Sequence, residues 1–227
     1  MPTYEGLRLK LLTYNRKIFG SAHRKKLTNK RFTIISNNCW GGEVYEYYNL
    51  QKQSPTVGLF FMASDYLIFL EDLKGFLSAE LIFINPNESK WVNDKLICSD
   101  KRFGSYPIGK LISNGKSIEI FFLHYKNEKE AKEKWNRRCK RISWNKMLIK
   151  FNDQNGCDSK SIDKFIGLKY DNKIFFTAKR WKKENEWRRK LSYYYYIHQM
   201  GNNGSITASH EPFGNHKAKI TDILNSL

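Results

Sequence analysis

The chain has 227 residues, 41% hydrophobic and 15% aromatic, with forty Lys+Arg against twenty-two Asp+Glu and a formal net charge of +18. Those proportions exclude a disordered chain, and no apolar run approaches the ~18 residues of a membrane-spanning helix. Cys39, Cys98, Cys139 and Cys157 lack CxxC spacing, which argues against a zinc site or a disulfide framework and for reduced thiols.

The charge points to an anionic partner: nucleic acid, anionic lipid or a phosphorylated small molecule. A lysine-rich composition that only keeps the chain soluble gives the same number, so net charge alone defines no site. The N-terminus has no apolar signal-peptide core, and a cytoplasmic location is expected.

In chain order, residues 1–31 form a basic helical lead-in. Leu7, Leu11, Tyr14 and Ile18 share one helical face, flanked by Arg8, Lys10, Arg16 and Lys17. Such a stripe either packs on the domain behind it or lies on an anionic surface, so peripheral contact with the inner face of the membrane through residues 3–31 is one expectation.

Residues 32–180 read as an α/β core. Strands are predicted at Phe32–Ser36, Thr56–Met62, Glu80–Ile84, Ser117–His124, Met147–Asn152 and Asn172–Lys179. Helices are predicted after a Ser64-Asp65 cap as far as Leu77, over Asn127–Arg141, and after an Asp158 cap as far as Ile166. In the second of these, Ala131, Trp135 and Ile142 make the buried stripe. Residues 85–116 hold Asn-Pro, Gly104, Pro107 and Gly109 and read as an irregular insertion. Helical segments between apolar strands imply right-handed crossovers and a mostly parallel sheet with helices on both faces. Residues 181–227 are set apart as a basic, aromatic C-terminal extension, with a last helix at 220–227.

Ligands of open α/β sheets sit outside the carboxyl ends of the strands. That rule selects Asn37 and Asn38 after the first strand, His124 after the strand from Ser117, Asp153 after the strand from Met147, and Lys179 after the strand from Asn172. Gly41 and Gly42 would let backbone approach a phosphate, with a helix amide end behind them. The spacing is neither G-x-G-x-x-G nor a P-loop, and a tight turn packed by Trp40 explains it equally. His124 reads alternatively as a core histidine, Asp153 as a turn-former beside Asn155-Gly156, and Lys179 as a solvated charge. A nucleophilic Cys39 would require an imidazole beside it. No D-x-D follows a strand, so neither a metal site nor any other cofactor is expected.

The stretches FTIISNNCWGGEVYEYYNL, SPTVGLFFMASDYLIFLEDL, YPIGKL, IEIFFLHYKNEKEAKEKWNRRCKRI, MLIKFNDQNGC and IFFTAK resemble a bacterial exopolysaccharide-biosynthesis protein family, over roughly residues 7–180. The resemblance implies an α/β fold and a place in surface-polysaccharide assembly, and some members are labelled glycosyltransferases. Where many relatives read IEIHFLHY this chain reads IEIFFLHY, which keeps His124 and places phenylalanine at the earlier histidine position.

The expectation is a glycosyltransferase-like enzyme of exopolysaccharide or capsule biosynthesis. It would take a nucleotide sugar and a glycan acceptor, with Asp153 or His124 as base. Asn37, Asn38, Gly41, Gly42 and Lys179 would bind the substrate, and surplus cations would stabilise the leaving diphosphate. The rivals are a non-enzymatic docking partner at the membrane surface and a nucleic-acid binder. The latter has the basic-aromatic run KRWKKENEWRRK and YYYY in its favour but no recognition module, so nucleic acid is the less expected partner.

Overall fold

The computed structural model describes Tyr14, residues 18–196 and residues 219–227. Two sheets organise it. A parallel sheet has the spatial order β1 (Thr33–Ser36), β5 (Met147–Asn152), β6 (Lys173–Thr177), β7 (Tyr193–Tyr196). An antiparallel sheet has the order β2 (Ile82–Ile84), β3 (Ile108–Ser113), β4 (Lys116–Phe121).

The α/β architecture with helices on both faces of a parallel sheet matches the sequence expectation. On one face, Ile34, Leu148, Ile174 and Phe176 pack against α1 (Trp40–Tyr47) and α8 (Ile220–Asn225). On the other, Ile35, Ile149, Phe151 and Phe175 meet α2 (Ala63–Glu71), α6 (Ser159–Gly167) and α7 (Glu184–Lys190). The alternation along each strand sorts the side chains between the two cores. The Tyr66 hydroxyl ties the layers: Ile35 O and Lys150 O both lie 2.9 Å from it and share its one proton. Helix α5 (Glu128–Cys139) begins at Asn127, whose side chain accepts from Glu130 N, and buries Ala131 and Trp135.

The edge strand β1 is closed by side chains. Its outward amides donate to Tyr45 Oη and Thr56 Oγ1, each at 3.0 Å, so no open ladder remains at Ile34 and Ser36.

Several elements differ from the sequence reading. The Thr56–Met62 strand reduces to one bridge, Phe60 with Phe121, because Gly58 turns the chain at φ +76°. The helix expected to run to Leu77 breaks at Asp72, whose carboxylate accepts from Gly75 N and starts the short helix α3 (Leu73–Ser78). The supposedly irregular 85–116 contains a 3-10 turn at Pro86–Glu88, α4 (Lys95–Ser99) and β3. Asn114 and Gly115, both at positive φ, close a two-residue hairpin into β4. Residues 181–196 supply α7 and β7, and α8 packs into the face below α1, so these described parts of the segment set apart as an extension join the core.

Of the lead-in, residues 18–25 are helical. His23 stacks on Tyr47 at 4.0 Å, while Tyr14, Ile18 and Phe19 are 68%, 52% and 50% exposed. Leu7 and Leu11 lie outside the described residues. No described helix is long and apolar enough to cross a membrane.

Candidate functional site

Parallel strands deliver their carboxyl ends to one edge, and here that edge is lined by buried polar side chains. Asn37, Asn38, Lys150, Asn152 and Asp153 are all less than a tenth exposed. Lys150 and Asn152 alternate along β5 with the core residues Ile149 and Phe151, so they emerge on the α1 face just below the edge.

A connected amide network fixes these groups. Asn37 Nδ2 donates to Asn152 Oδ1 at 2.7 Å, Asn152 Nδ2 to Gln154 Oε1 at 2.7 Å, and Asn38 Nδ2 to the same oxygen at 3.0 Å. The Lys150 ammonium donates to Asn38 Oδ1 at 2.9 Å and Asn37 Oδ1 at 3.4 Å, and lies 5.9 Å from the ring centroids of both Trp40 and Phe176. The two asparagines therefore hold Lys150 and Asn152 in place; they are positioning residues more than ligand groups. Trp40 Nε1 is buried beside this ammonium without a hydrogen-bond partner among the described residues, an unpaired donor of the kind that costs ~1–3 kcal/mol.

The loop from Asn37 to Gly42 does not form a phosphate cradle. Helix α1 starts at Trp40, and Trp40 N donates to Asn38 Oδ1 at 3.2 Å, so the amide end is already engaged. Gly41 and Gly42 lie inside the helix. A Cβ on Gly42 would stand 2.7 Å from Val57 Cγ1, and one on Gly41 3.1 Å from Ile34 Cγ2. Both glycines serve close packing of α1 on its neighbours, and their expected substrate role is withdrawn.

Asp153 is held differently. Its Oδ2 accepts from Thr177 Oγ1 at 2.5 Å, Ala178 N at 2.9 Å and Lys179 N at 3.2 Å. Its Oδ1 receives no hydrogen bond among the described residues. Thr177 in turn accepts from Trp181 Nε1 at 2.9 Å. The Lys179 ammonium is exposed, 5.8 Å from the Trp181 ring centroid, and the Arg180 guanidinium lies 4.1 Å from that of Tyr196. One oriented carboxylate, two cations and two aromatic faces thus meet where β5, β6 and β7 end.

His124 does not follow a strand of this parallel sheet. It follows β4 of the antiparallel sheet, and its N–H donates to Gly58 O at 3.0 Å. Asn37 O instead accepts from Phe61 N, three residues further along that segment. Desolvation, with Arg102 adding to it, moves the His124 ring below its ordinary 6.5. The error came from the Asn114-Gly115 hairpin, which turns the strand before His124 into the wrong sheet. Burial pushes the Cys39 thiol up to about 12, which disfavours the thiolate. All four cysteines are free. Among the described residues no three His, Cys, Asp or Glu side chains gather as a metal cluster.

Sequence reasoning also missed Lys150 and Asn152. Both sit inside MLIKFN, a run read as a core strand. The signal was a lysine at a position whose neighbours two away, Leu148 and Asn152, are buried.

The fold and this edge define an open α/β protein with a polar, basic edge at the carboxyl ends of its parallel strands. Residues 11–216 match the family described as "Domain of unknown function (DUF1919)", and the chain belongs to that family. It is 33% identical over 156 residues to an uncharacterized protein of Haemophilus influenzae (strain ATCC 51907 / DSM 11121 / KW20 / Rd), a match spanning 69% of this chain and 66% of that one. These matches overturn the exopolysaccharide resemblance: neither the family nor the relative carries a polysaccharide or glycosyltransferase description.

Proposed function

We propose that the carboxyl edge of the parallel sheet binds a nucleotide-activated sugar and transfers the sugar to an acceptor hydroxyl. The carrying observation is Asp153, with Oδ2 anchored three times and Oδ1 without a hydrogen bond among the described residues. Fixing one oxygen orients the other, as a general base requires. Oδ1 takes the acceptor's proton while the acceptor oxygen attacks the anomeric carbon. The bond to the diphosphate breaks, and the leaving nucleoside diphosphate carries its charge beside Lys179 and Arg180. Such donors place the reaction in the cytoplasm.

The test uses thermal shift and donor hydrolysis with a panel of nucleoside-diphosphate sugars. A donor at a hundred times its dissociation constant stabilises the fold by ~2.7 kcal/mol. Asp153→Asn keeps an oxygen for the three donors, so it should keep that shift and lose turnover by ~10²-fold or more. No salt-resistant shift with any donor, or full turnover in Asp153→Asn, overturns the reading.

The exposure of Tyr14, Ile18 and Phe19 supports a second reading, docking on an anionic membrane, in which His23 and Arg24 fasten the helix to Tyr47 and Asn49 from the other side. Co-sedimentation with phosphatidylglycerol vesicles but not phosphatidylcholine vesicles, lost in Ile18→Asp, is the expected result. Equal sedimentation of wild type and variant refutes it.

A further inference from the structure

We propose that a second cleft, at the opposite, amino edge of the parallel sheet, binds a neutral saccharide. The cleft has a volume of about 640 Å³ and lies between the α2–α3 break, the loop before β5 and the turn from α6 into β6. That volume is in the range of small-molecule sites.

Trp144 stands on its wall, 44% exposed, the most exposed of the six tryptophans. The Lys74 ammonium lies 5.4 Å from its ring centroid. Tyr170 Oη donates to Leu70 O at 2.7 Å and fixes the wall of the cleft where α2 ends.

Charge decides the ligand class. Glu71 is neutralised by Lys116 and Lys164, at 3.0 and 2.9 Å, which leaves Asp72 and Asp171 against Lys74 and Lys169. On a chain of +18 this wall is balanced. A phosphate or a nucleic acid gains nothing from a balanced wall, and a cation meets two ammonium groups. A neutral polyhydroxyl ligand suits it. The C–H face of a pyranose ring packs on an indole, and hydroxyls take the polar groups around it. The side chains of Asn145, Asn172, Lys169 and Asp171 make no hydrogen bond to the protein among the described residues and line the same cleft. This inference is independent of Asp153 and of the carboxyl edge.

The experiment is a tryptophan-fluorescence titration of the full chain at physiological salt with maltotriose, cellotriose and triacetylchitotriose. At least one should give a saturable blue shift in the millimolar range. Trp144→Ala, at an exposed position, should melt with the wild type and bind about tenfold or more weakly, and Trp144→Phe should recover part of the loss. Asp153→Asn should bind the saccharide as the wild type does, which separates this site from the transferase reading. The proposal is overturned if no trisaccharide gives a saturable change, if Trp144→Ala binds like the wild type, or if a nucleoside diphosphate displaces the saccharide through Trp144.

Discussion

Gly42→Ala separates two meanings of the glycine pair. Alanine is favoured over glycine inside a helix by ~0.8–1.0 kcal/mol, so propensity alone makes the substitution stabilising. The packing opposes this. The new Cβ would lie 2.7 Å from Val57 Cγ1, well inside van der Waals contact. Val57 has little room to retreat: it is 4% exposed, and its carbonyl accepts from Tyr125 Oη and Arg138 NH1 at 2.5 and 3.3 Å. Overpacking of a tight core costs ~1–3 kcal/mol. The sum is a net loss of about 1 kcal/mol, or ~2–4 °C in Tm for a chain of this size. Adding Val57→Ala empties the space, so the double variant should be less destabilised than the sum of the singles by ~1 kcal/mol or more. Urea unfolding followed by circular dichroism measures all three. As a control, Gly167→Ala at the end of α6 meets nothing within 4 Å and should gain ~0.4–1 kcal/mol. A more stable Gly42→Ala, or strict additivity with Val57→Ala, would refute the packing argument and restore the view that the glycine is kept for a ligand.

Trp135 is 1% exposed, with Phe122 and Phe69 rings at 6.1 and 6.4 Å, so Trp135→Ala should cost ~3–5 kcal/mol in denaturant unfolding. Asp158 caps α6 by accepting from Ser161 N and Oγ, both at 2.7 Å, and Asp158→Ala should cost ~1 kcal/mol by the same assay. Hydrogen bonds from Lys164 hold Glu71 below 4.5, and bonds from Ser113, Ser161 and Lys183 hold Asp72, Asp158 and Asp163 below 3.8. Depressed carboxylate values mean stability that is fully present above those unfolded values and lost as pH falls through the lower folded ones. Tm should thus hold on acidification as far as that window and then drop, and a flat profile through it would contradict the pairing.

The elements legible in the sequence were those with local signals. Met147–Asn152 is found with the predicted bounds because a run that is apolar but for Lys150 lies between turn residues. Asp158 caps its helix as expected, because an acidic side chain one position ahead of a helix has one natural use. The antiparallel sheet was legible in part and was misread. Asn114-Gly115 between two strand-length runs is a strong hairpin signal, and the breakers ahead of it, Gly104, Pro107 and Gly109, hid it. Taking Ser117–His124 as a member of the parallel sheet then put His124 at the end of a parallel strand, whereas it follows β4 of the antiparallel sheet. β7 is harder to find from its residues. YYYY lacks an apolar–polar alternation, and only pairing with β6, Ile174 with Tyr193 through Thr177 with Tyr196, makes it a strand.

The carboxyl edge shows why a site can be half visible. Residues that follow a strand, such as Asn37 and Asp153, can be found by counting to the strand's end. Residues within the strand, such as Lys150, are found only when the partner face is known. A lysine in the middle of an apolar run is costly to bury unless its ammonium meets oxygens, and here Asn37 and Asn38 supply them from β1, more than a hundred residues away in sequence. The asparagines were selected for the right place and the wrong reason. They look outward when only β1 is considered, and inward once β1 and β5 are paired in register with Ser36 opposite Lys150. Asp153 differs from them: its anchors come from β6 and the turn after it, and its Oδ1 receives no hydrogen bond among the described residues.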